Sequence, residues 1–433
     1  MTRLTSLALC LLTALLLACQ PITPVASIDA SAGTALARND WAPVAEQDVR
    51  AENAPAFSGV TALQHVQALS TGSRVAGSPE QSRTHQYLMA RFQELGYQTE
   101  LQPFTITAYQ DRGSRVALAG ALGQSVTANT LQYSAGGSAE AQLVEAGLGR
   151  PDDFADADVR GKVALVTRGE TRFADKVEAA AAAGAAAIII ANNAEGNFNG
   201  SLAGPSTIPA VSVSQADGAT LRQAARDGNA TVRVDVSASS EQSTGANVVA
   251  TKPGGPQTLI VGAHIDSVAA GPGANDNGSG TSVVLELART MAARPTPFTL
   301  QFVGFDAEEI GLVGSSHFVS QLTEAQRQSV VGMINLDMIG VGDKSLIGGS
   351  EEMMRLAQAA GARSGLTLGS FNESTGSDHA SFMRAGIPSL FIYRSNDPNY
   401  HSPNDRAEYV DPANLQIAGN LALDVIAALE RGE

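Results

Sequence analysis

Histidines and acids follow closely on four short apolar runs in the second half of the chain. They are His264 and Asp266, then Asp306, Glu308 and Glu309, then Asp337, and, after a longer loop, Tyr400 and His401. Asp276 stands in the glycine-rich segment Gly273-Ala274-Asn275-Asp276-Asn277-Gly278. Imidazole and carboxylate are ligands that divalent zinc accepts, and no thiolate competes, because both cysteines, Cys10 and Cys19, fall near the amino terminus. A formal charge sum favours two ions over one. Asp276, Glu309 and Asp337 supply about −3, two zinc ions about +4 and a bridging hydroxide about −1, which leaves the site neutral.

Simpler readings of the same residues stand beside this one. Asp306, Glu308 and Glu309 could be the acids favoured in the first turn of a helix beginning near Ile310. Asp276-Asn277-Gly278 could be a turn and cap, and His401 a surface histidine before Ser402-Pro403-Asn404-Asp405. Ser377-Asp378-His379 has the letters of a hydrolase triad, but neighbours in one turn point apart and cannot align as nucleophile, base and orienter, so they read as pocket-lining. His65, His85 and His317 fall on helical patterns and read as packing or surface residues.

The elements that must position these groups alternate. After Asn247, strands are expected over Leu259–Ala263, Thr299–Phe305, Val330–Leu336 and Ser389–Tyr393. Helices are expected over Ser279–Ala293, Ile310–Leu322, Glu351–Ala362, Ser377–Ala385 and Pro412–Leu429. That order predicts an α/β fold, a mainly parallel mixed sheet sandwiched by helices, with ligands beyond the carboxyl ends of the strands. From Gly59 to Gly96 the pattern is helical, with Val60, Leu63, Val66 and Leu69 on one face, and Gln98 to Thr107 alternates as a strand.

At 433 residues the chain should hold two or three domains of about 150 residues each. Hydrophobic residues at 44% against 16% charged exclude a disordered acidic tail. A net charge of −15 would repel a phosphate backbone, which argues against nucleic-acid partners and suits metal cations. No G-x-S-x-G elbow, H-E-x-x-H helix or phosphate loop occurs.

Between about Ser114 and Ser240 small residues dominate. Strands at Lys162–Thr167 and Ala186–Ala191 flank an Ala-rich helix, Phe173–Gly184. Gly161-Lys162-Val163-Ala164-Leu165-Val166, Phe173, Lys176, Ala183-Gly184-Ala185, Asn192-Asn193 and Ile208-Pro209-Ala210-Val211-Ser212 resemble the protease-associated domain. The expected organisation is a β-rich insert over 114–240 within a catalytic domain formed by 56–113 and 241–433.

Around the insert, Gly262-Ala263-His264-Ile265-Asp266-Ser267, Gly273-Ala274-Asn275-Asp276-Asn277-Gly278-Ser279-Gly280, Asp306-Ala307-Glu308-Glu309-Ile310-Gly311, Asn335-Leu336-Asp337-Met338 and Tyr400-His401-Ser402 resemble the co-catalytic di-zinc aminopeptidases of the aminopeptidase Y and bacterial leucyl aminopeptidase type. The resemblance implies the zinc-exopeptidase, phosphorylase/hydrolase-like fold. It also implies hydrolysis of amino-terminal residues from peptides, two Zn2+ per chain and substrates with a free amino terminus. His264 and Asp337 would then hold one zinc and Glu309 and His401 the other, with Asp276 shared. Glu308 would be the general base, Tyr400 a hydrogen-bond donor to the oxyanion, and Asp266 the residue that orients His264. A non-proline cis peptide between Asp276 and Asn277 is implied as well. Related glutaminyl cyclases, carboxypeptidases and the inactive transferrin-receptor branch are the alternatives.

The amino terminus reads as an address. An apolar run from Leu7 to Leu17 suits a secretory leader, and Leu16-Leu17-Ala18-Cys19 resembles the bacterial lipobox, which implies cleavage before Cys19 and lipidation of its thiol. Residues 1–19 would be the signal peptide and 20–55 a flexible tether to the cell envelope. The insert's own protein partner is not legible.

Overall fold

Helix α1 (Gly59–Leu69) starts where Ser58 accepts a hydrogen bond from the Thr61 amide, and α2 (Pro79–Glu94) starts the same way, with Ser78 capping Gln81 and proline in the first turn. The computed structural model describes residues 55–119, 125–228, 230–371 and 376–433, so the leader, Cys19 and the tether lie outside the described residues. Strand β1 (Gln98–Leu118) then carries the chain into an insert of strands β2 (Ser125–Val126), β3 (Ala128–Thr130) and β4 (Gly137–Glu145), helix α3 (Pro151–Asp156), β5 (Val163–Thr167), helix α4 (Phe173–Ala182), β6 (Ala187–Ala191), β7 (Ala210–Val213) and helix α5 (Gln215–Arg226). Strand β8 (Thr231–Lys252) brings it back.

The strand expected to end at Thr107 therefore continues to Leu118. Arg112-Gly113 reads as a turn, but β1 stays paired with β8 along almost its whole length, and the register shifts between Asp111 and Ser114 instead of breaking. One antiparallel ribbon thus belongs to both sheets: β8 pairs with β4 over 231–236 and with β10 over 248–252. The insert's sheet runs in the order β4-β5-β6-β7-β3. Its central strands β5 and β6 are apolar on both faces because each side is covered. Val163 and Leu165 enter one core cluster with Ile189 and Leu221, whereas Ala164 and Val166 enter another with Ile188, Ile190 and Tyr133.

After the ribbon come β9 (Thr258–His264), α6 (Gly280–Met291), β10 (Thr299–Phe305), α7 (Val313–Gln321), α8 (Glu324–Ser329), β11 (Val330–Leu336), β12 (Lys344–Gly349), α9 (Glu351–Arg363), β13 (Gly369–Ser370), α10 (His379–Arg384), β14 (Ser389–Ser395) and α11 (Pro412–Glu430). The main sheet is ordered β13-β12-β14-β11-β9-β10-β8. Strands β14, β11, β9 and β10 are mutually parallel, and β12 and β8 flank them antiparallel. The expected mixed, mainly parallel sheet is what forms, with β8, β12 and β13 strands that the sequence did not announce.

Two local departures bear on the site. Helix α7 begins at Val313 and not near Ile310, because Gly311 (φ 113°) and Leu312 (φ 58°) leave helical space. The acids at 306, 308 and 309 thus lie in a loop and cannot be first-turn helix acids. Along α1 the buried residues are Gly59, Ala62, His65, Val66 and Leu69, and Val60 is exposed. A Cβ on Gly59 would come within 2.1 Å of the Pro412 carbonyl oxygen, so the close approach of α11 requires glycine at the start of the inner face.

Candidate metal centre

The carboxyl ends of β9, β10 and β11 open at one place, and His264, Asp306 and Asp337 stand there as the last or next residue of each strand. Residues Ala274–Ser279 form an irregular turn ahead of α6, and its Asp276–Asn277 peptide is cis. Asp276 sits between two histidines. Its Oδ1 is 3.2 Å from His264 Nε2 and its Oδ2 is 3.0 Å from His401 Nε2. Asp337 Oδ1 completes the first side at 3.4 Å from His264 Nε2, and Glu309 Oε2 the second at 3.2 Å from His401 Nε2. In each of the triads His264, Asp276, Asp337 and Asp276, Glu309, His401, the nearest donor atoms all lie within 4.8 Å of one another.

The donor set fits cations. Asp337 Oδ1 and Glu309 Oε1 are buried without a hydrogen-bond partner, an arrangement that is costly unless a positive charge faces them. Burial, then Asp276, pushes Glu309 up to about 7. Burial alone would lower His401, yet hydrogen bonds to Asp276 and Glu309 raise it to about 10.

These distances acquire a family through comparison with known proteins. Residues 247–426 match the sequence profile of peptidase family M28, and residues 126–221 match that of the PA domain. Aminopeptidase YwaD of Bacillus subtilis is 35% identical over 381 residues, 81% of this chain and 80% of that protein. The chain belongs to peptidase family M28. The probable lipoprotein aminopeptidase LpqL of Mycobacterium tuberculosis is 31% identical over 410 residues, 82% of this chain and 81% of that protein. The solved zinc aminopeptidase from Bacillus subtilis superposes with a TM-score of 0.73 at 31% identity, covering 88% of this chain and 96% of that one.

Two residues that hold this M28 site together, Asp405 and Arg74, carry no sequence signal of their own, and Asp266 holds more than its sequence position indicates. Asp405 accepts the Asn275 amide at 2.7 Å and the Asp276 amide at 3.0 Å, which fixes the turn beneath the shared carboxylate. Arg74 is buried and donates to the carbonyls of Leu69, Ile265, Pro272 and Gly273, tying the ends of the segment between His264 and Asp276 together. Asp266 accepts the amides of Glu308 and Glu309 at 3.0 and 3.1 Å. Its Oδ1 is 3.5 Å from His264 Nδ1, which has no aligned partner, so the strongest geometry Asp266 shows is toward the loop and not toward the imidazole. Only pairing in space reveals Asp405, Arg74 and the grip of Asp266 on the acidic loop, since the partners lie far apart along the chain.

Other sequence candidates fall outside the cluster. Asp306 is buried against Gln81, His85 and the Ala246 amide, and it staples β10 to α2 and the ribbon. His65 bonds Tyr87, and His317 packs on Phe104. Ser377, Asp378 and His379, expected to line the pocket, are fully buried behind its wall. Ser377 donates to Asp337 Oδ2 at 2.7 Å, and His379 stacks on Phe391 at 4.6 Å between ring centroids.

In front of the M28 cluster lies a cavity of about 540 Å³. His264, Asp276, Glu308, Glu309 and Asp337 line one side, and Leu346, Phe371, Phe391 and Tyr393 another. Tyr400 stands at its rim, 52% exposed, with its ring stacked on His401 at 3.8 Å. Burial, then the surrounding acids, raises its phenol well above the usual range, so it stays a proton donor.

Proposed function

We propose that this peptidase holds two zinc ions, one among His264, Asp276 and Asp337 and one among Asp276, Glu309 and His401, and that Glu308 is its general base. The observation that carries this reading is Asp276, whose two oxygens face two different histidines at 3.2 and 3.0 Å. The activity is that of a zinc-dependent exopeptidase removing residues from the amino terminus, in keeping with the relatives named aminopeptidases and the solved zinc aminopeptidase. When bound, zinc supplies Lewis-acid polarisation of the scissile carbonyl and acidification of water. Glu308 accepts the water's proton on its carboxylate and returns it to the leaving amine. Tyr400 donates its hydroxyl proton toward the developing oxyanion. Asp266 keeps Glu308 in place through the backbone amides.

The acids lining the cavity attract a substrate's free ammonium group and disfavour an acidic residue. Leu346, Phe371, Phe391 and Tyr393 favour an apolar or aromatic first side chain. The test is product analysis on free and N-acetylated peptides together with zinc counting. Expected are about two zinc ions per chain, stepwise release of leucine or phenylalanine from free peptides and none from blocked ones. A cyclised product with one zinc per chain, or cleavage of blocked peptides, removes the proposal.

Export completes the reading. The apolar leader and the Leu16-Leu17-Ala18-Cys19 quartet support cleavage before Cys19 and anchoring of the thiol to the cell envelope by lipid, as does the relative named a lipoprotein. Among the described residues no helix is long and apolar enough to cross a membrane. Mass spectrometry of the mature amino terminus should find an acylated Cys19, and Cys19→Ser should release the enzyme from the membrane fraction. An unmodified terminus elsewhere refutes the anchor.

A further inference from the structure

The insert and the acidic loop meet at Ile310. Ile310, next to Glu309, is half-buried against the insert cluster that contains Leu131, Tyr133, Val166 and Phe198, and it also packs with Ala76, Phe104, Ile106 and Ala307 of the main domain. It is the residue of the acidic loop that belongs to both clusters. The loop it sits on is tightly closed: the Glu308 carbonyl accepts the amides of Gly311 at 2.8 Å and Leu312 at 2.9 Å, and the Ala307 carbonyl accepts Val313 at 3.0 Å. On its other side the same loop hangs from Asp266 through the Glu308 and Glu309 amides. A turn bonded to itself in this way moves as a unit, so displacing Ile310 displaces both glutamates.

We propose that Ile310 is a positioning residue, through which the inserted domain holds the Glu308-Glu309 segment at its working place over the metal cluster. The inference rests on the roles proposed above for those two glutamates. The insert is then a structural partner of the catalytic loop as well as an appendage on a ribbon. Tyr133 shows how near the two come. Its phenol is buried against the ribbon, with its hydroxyl 3.5 Å from the Thr107 carbonyl, and burial followed by the charge of Asp266 pushes it up to about 12. The carboxylate that grips the acidic loop therefore lies within electrostatic reach of the insert's core.

The test compares Ile310→Ala and Ile310→Val with Leu221→Ala, a truncation in the insert's other cluster, which does not include Ile310. Small displacements of a catalytic group cost large factors in turnover, so Ile310→Ala should lower kcat by about tenfold to a hundredfold with KM within about twofold. Ile310→Val should recover most of the loss, and Leu221→Ala should turn over as the wild type does. In metal-free protein, amide hydrogen exchange over residues 307–313 should accelerate in Ile310→Ala and not in Leu221→Ala. If Ile310→Ala does not fold, Ile310→Val carries the same comparison with a smaller loss. Wild-type turnover and exchange in the Ile310 variants, or an equal loss in Leu221→Ala, overturns the proposal. Should the wild type show no aminopeptidase turnover, the functional reading has failed, and the exchange comparison still decides whether the insert holds the loop.

Discussion

Glu308→Gln should lower kcat by about a hundredfold to ten-thousandfold, the range lost with a general base, while zinc content stays at the wild-type value. The separation of the two readouts follows from the geometry. Glu308 belongs to neither donor triad, and its Oε2 is 4.0 Å from His264 Nε2, farther than the 3.0 to 3.4 Å of the four histidine–carboxylate contacts within the triads. Its side chain lines the cavity, so it faces the place where water and substrate must meet. Burial, then the nearby charges of Asp378, Asp337 and Glu309, raises its proton affinity well above that of an ordinary carboxylate, against the opposing pull of His264. Glutamine keeps the volume and the backbone amide bonded to Asp266, and it removes only the ability to take a proton. Steady-state kinetics on an aminoacyl arylamide with zinc measured on the same samples decides the matter. Turnover within about tenfold of wild type at full zinc content would take the base role from Glu308. The acid limb of the kcat/KM profile, which reports the base losing its proton, should vanish with the residual activity.

How much of this was legible beforehand differs by element and for physical reasons. The four apolar strands and the residues after them could be read because a parallel strand buried on both faces leaves a continuous apolar run, and chemistry collects at its carboxyl end. Residue types at the strand ends point to a metal cluster, and the resemblance to the di-zinc aminopeptidases singles out the five proposed ligands within it. The supports are less legible. Asp405 acts by accepting backbone amides from a distant segment, and any polar residue in a loop has the same local appearance; Asp266 is read from the sequence as a partner of His264, but its hold on the Glu308 and Glu309 amides is not. Arg74 is an arginine that the fold buries against carbonyls, whereas composition rules place arginine outside. The apolar pattern runs through Ile310 and points to a helix start there, while Gly311 and Leu312 hold positive φ and delay α7 to Val313. The apolar pattern puts Val60 on the inner face of α1, but α11 approaches so closely at Gly59 that the helix turns Gly59 and not Val60 inward. In each case the tertiary neighbour, absent from the local sequence, decided the outcome.

Asp276→Asn tests the shared carboxylate itself, and it should cost both metal and activity. Asp276 is buried, which alone would favour its neutral form, yet hydrogen bonds from His264 and His401 hold it below the usual carboxylate range. Its negative charge is thus balanced on both sides by imidazoles whose protons must leave when zinc takes their place. An asparagine keeps the backbone amide that Asp405 grips and nearly the same shape, but it offers no charge and one oxygen to two sites. After dialysis the variant should carry fewer than two zinc ions per chain, and its turnover should fall about a thousandfold or more, since the loss removes metal assistance and not a single contact. A third readout guards against a merely unfolded product. Ligands that bind only the native state stabilise it by mass action, so chelator should lower the wild-type Tm and lower that of the variant much less. If Asp276→Asn retained two zinc ions and the full chelator-dependent drop, the two triads would have to be independent sites, and the paired-ion chemistry would lose the residue that joins them.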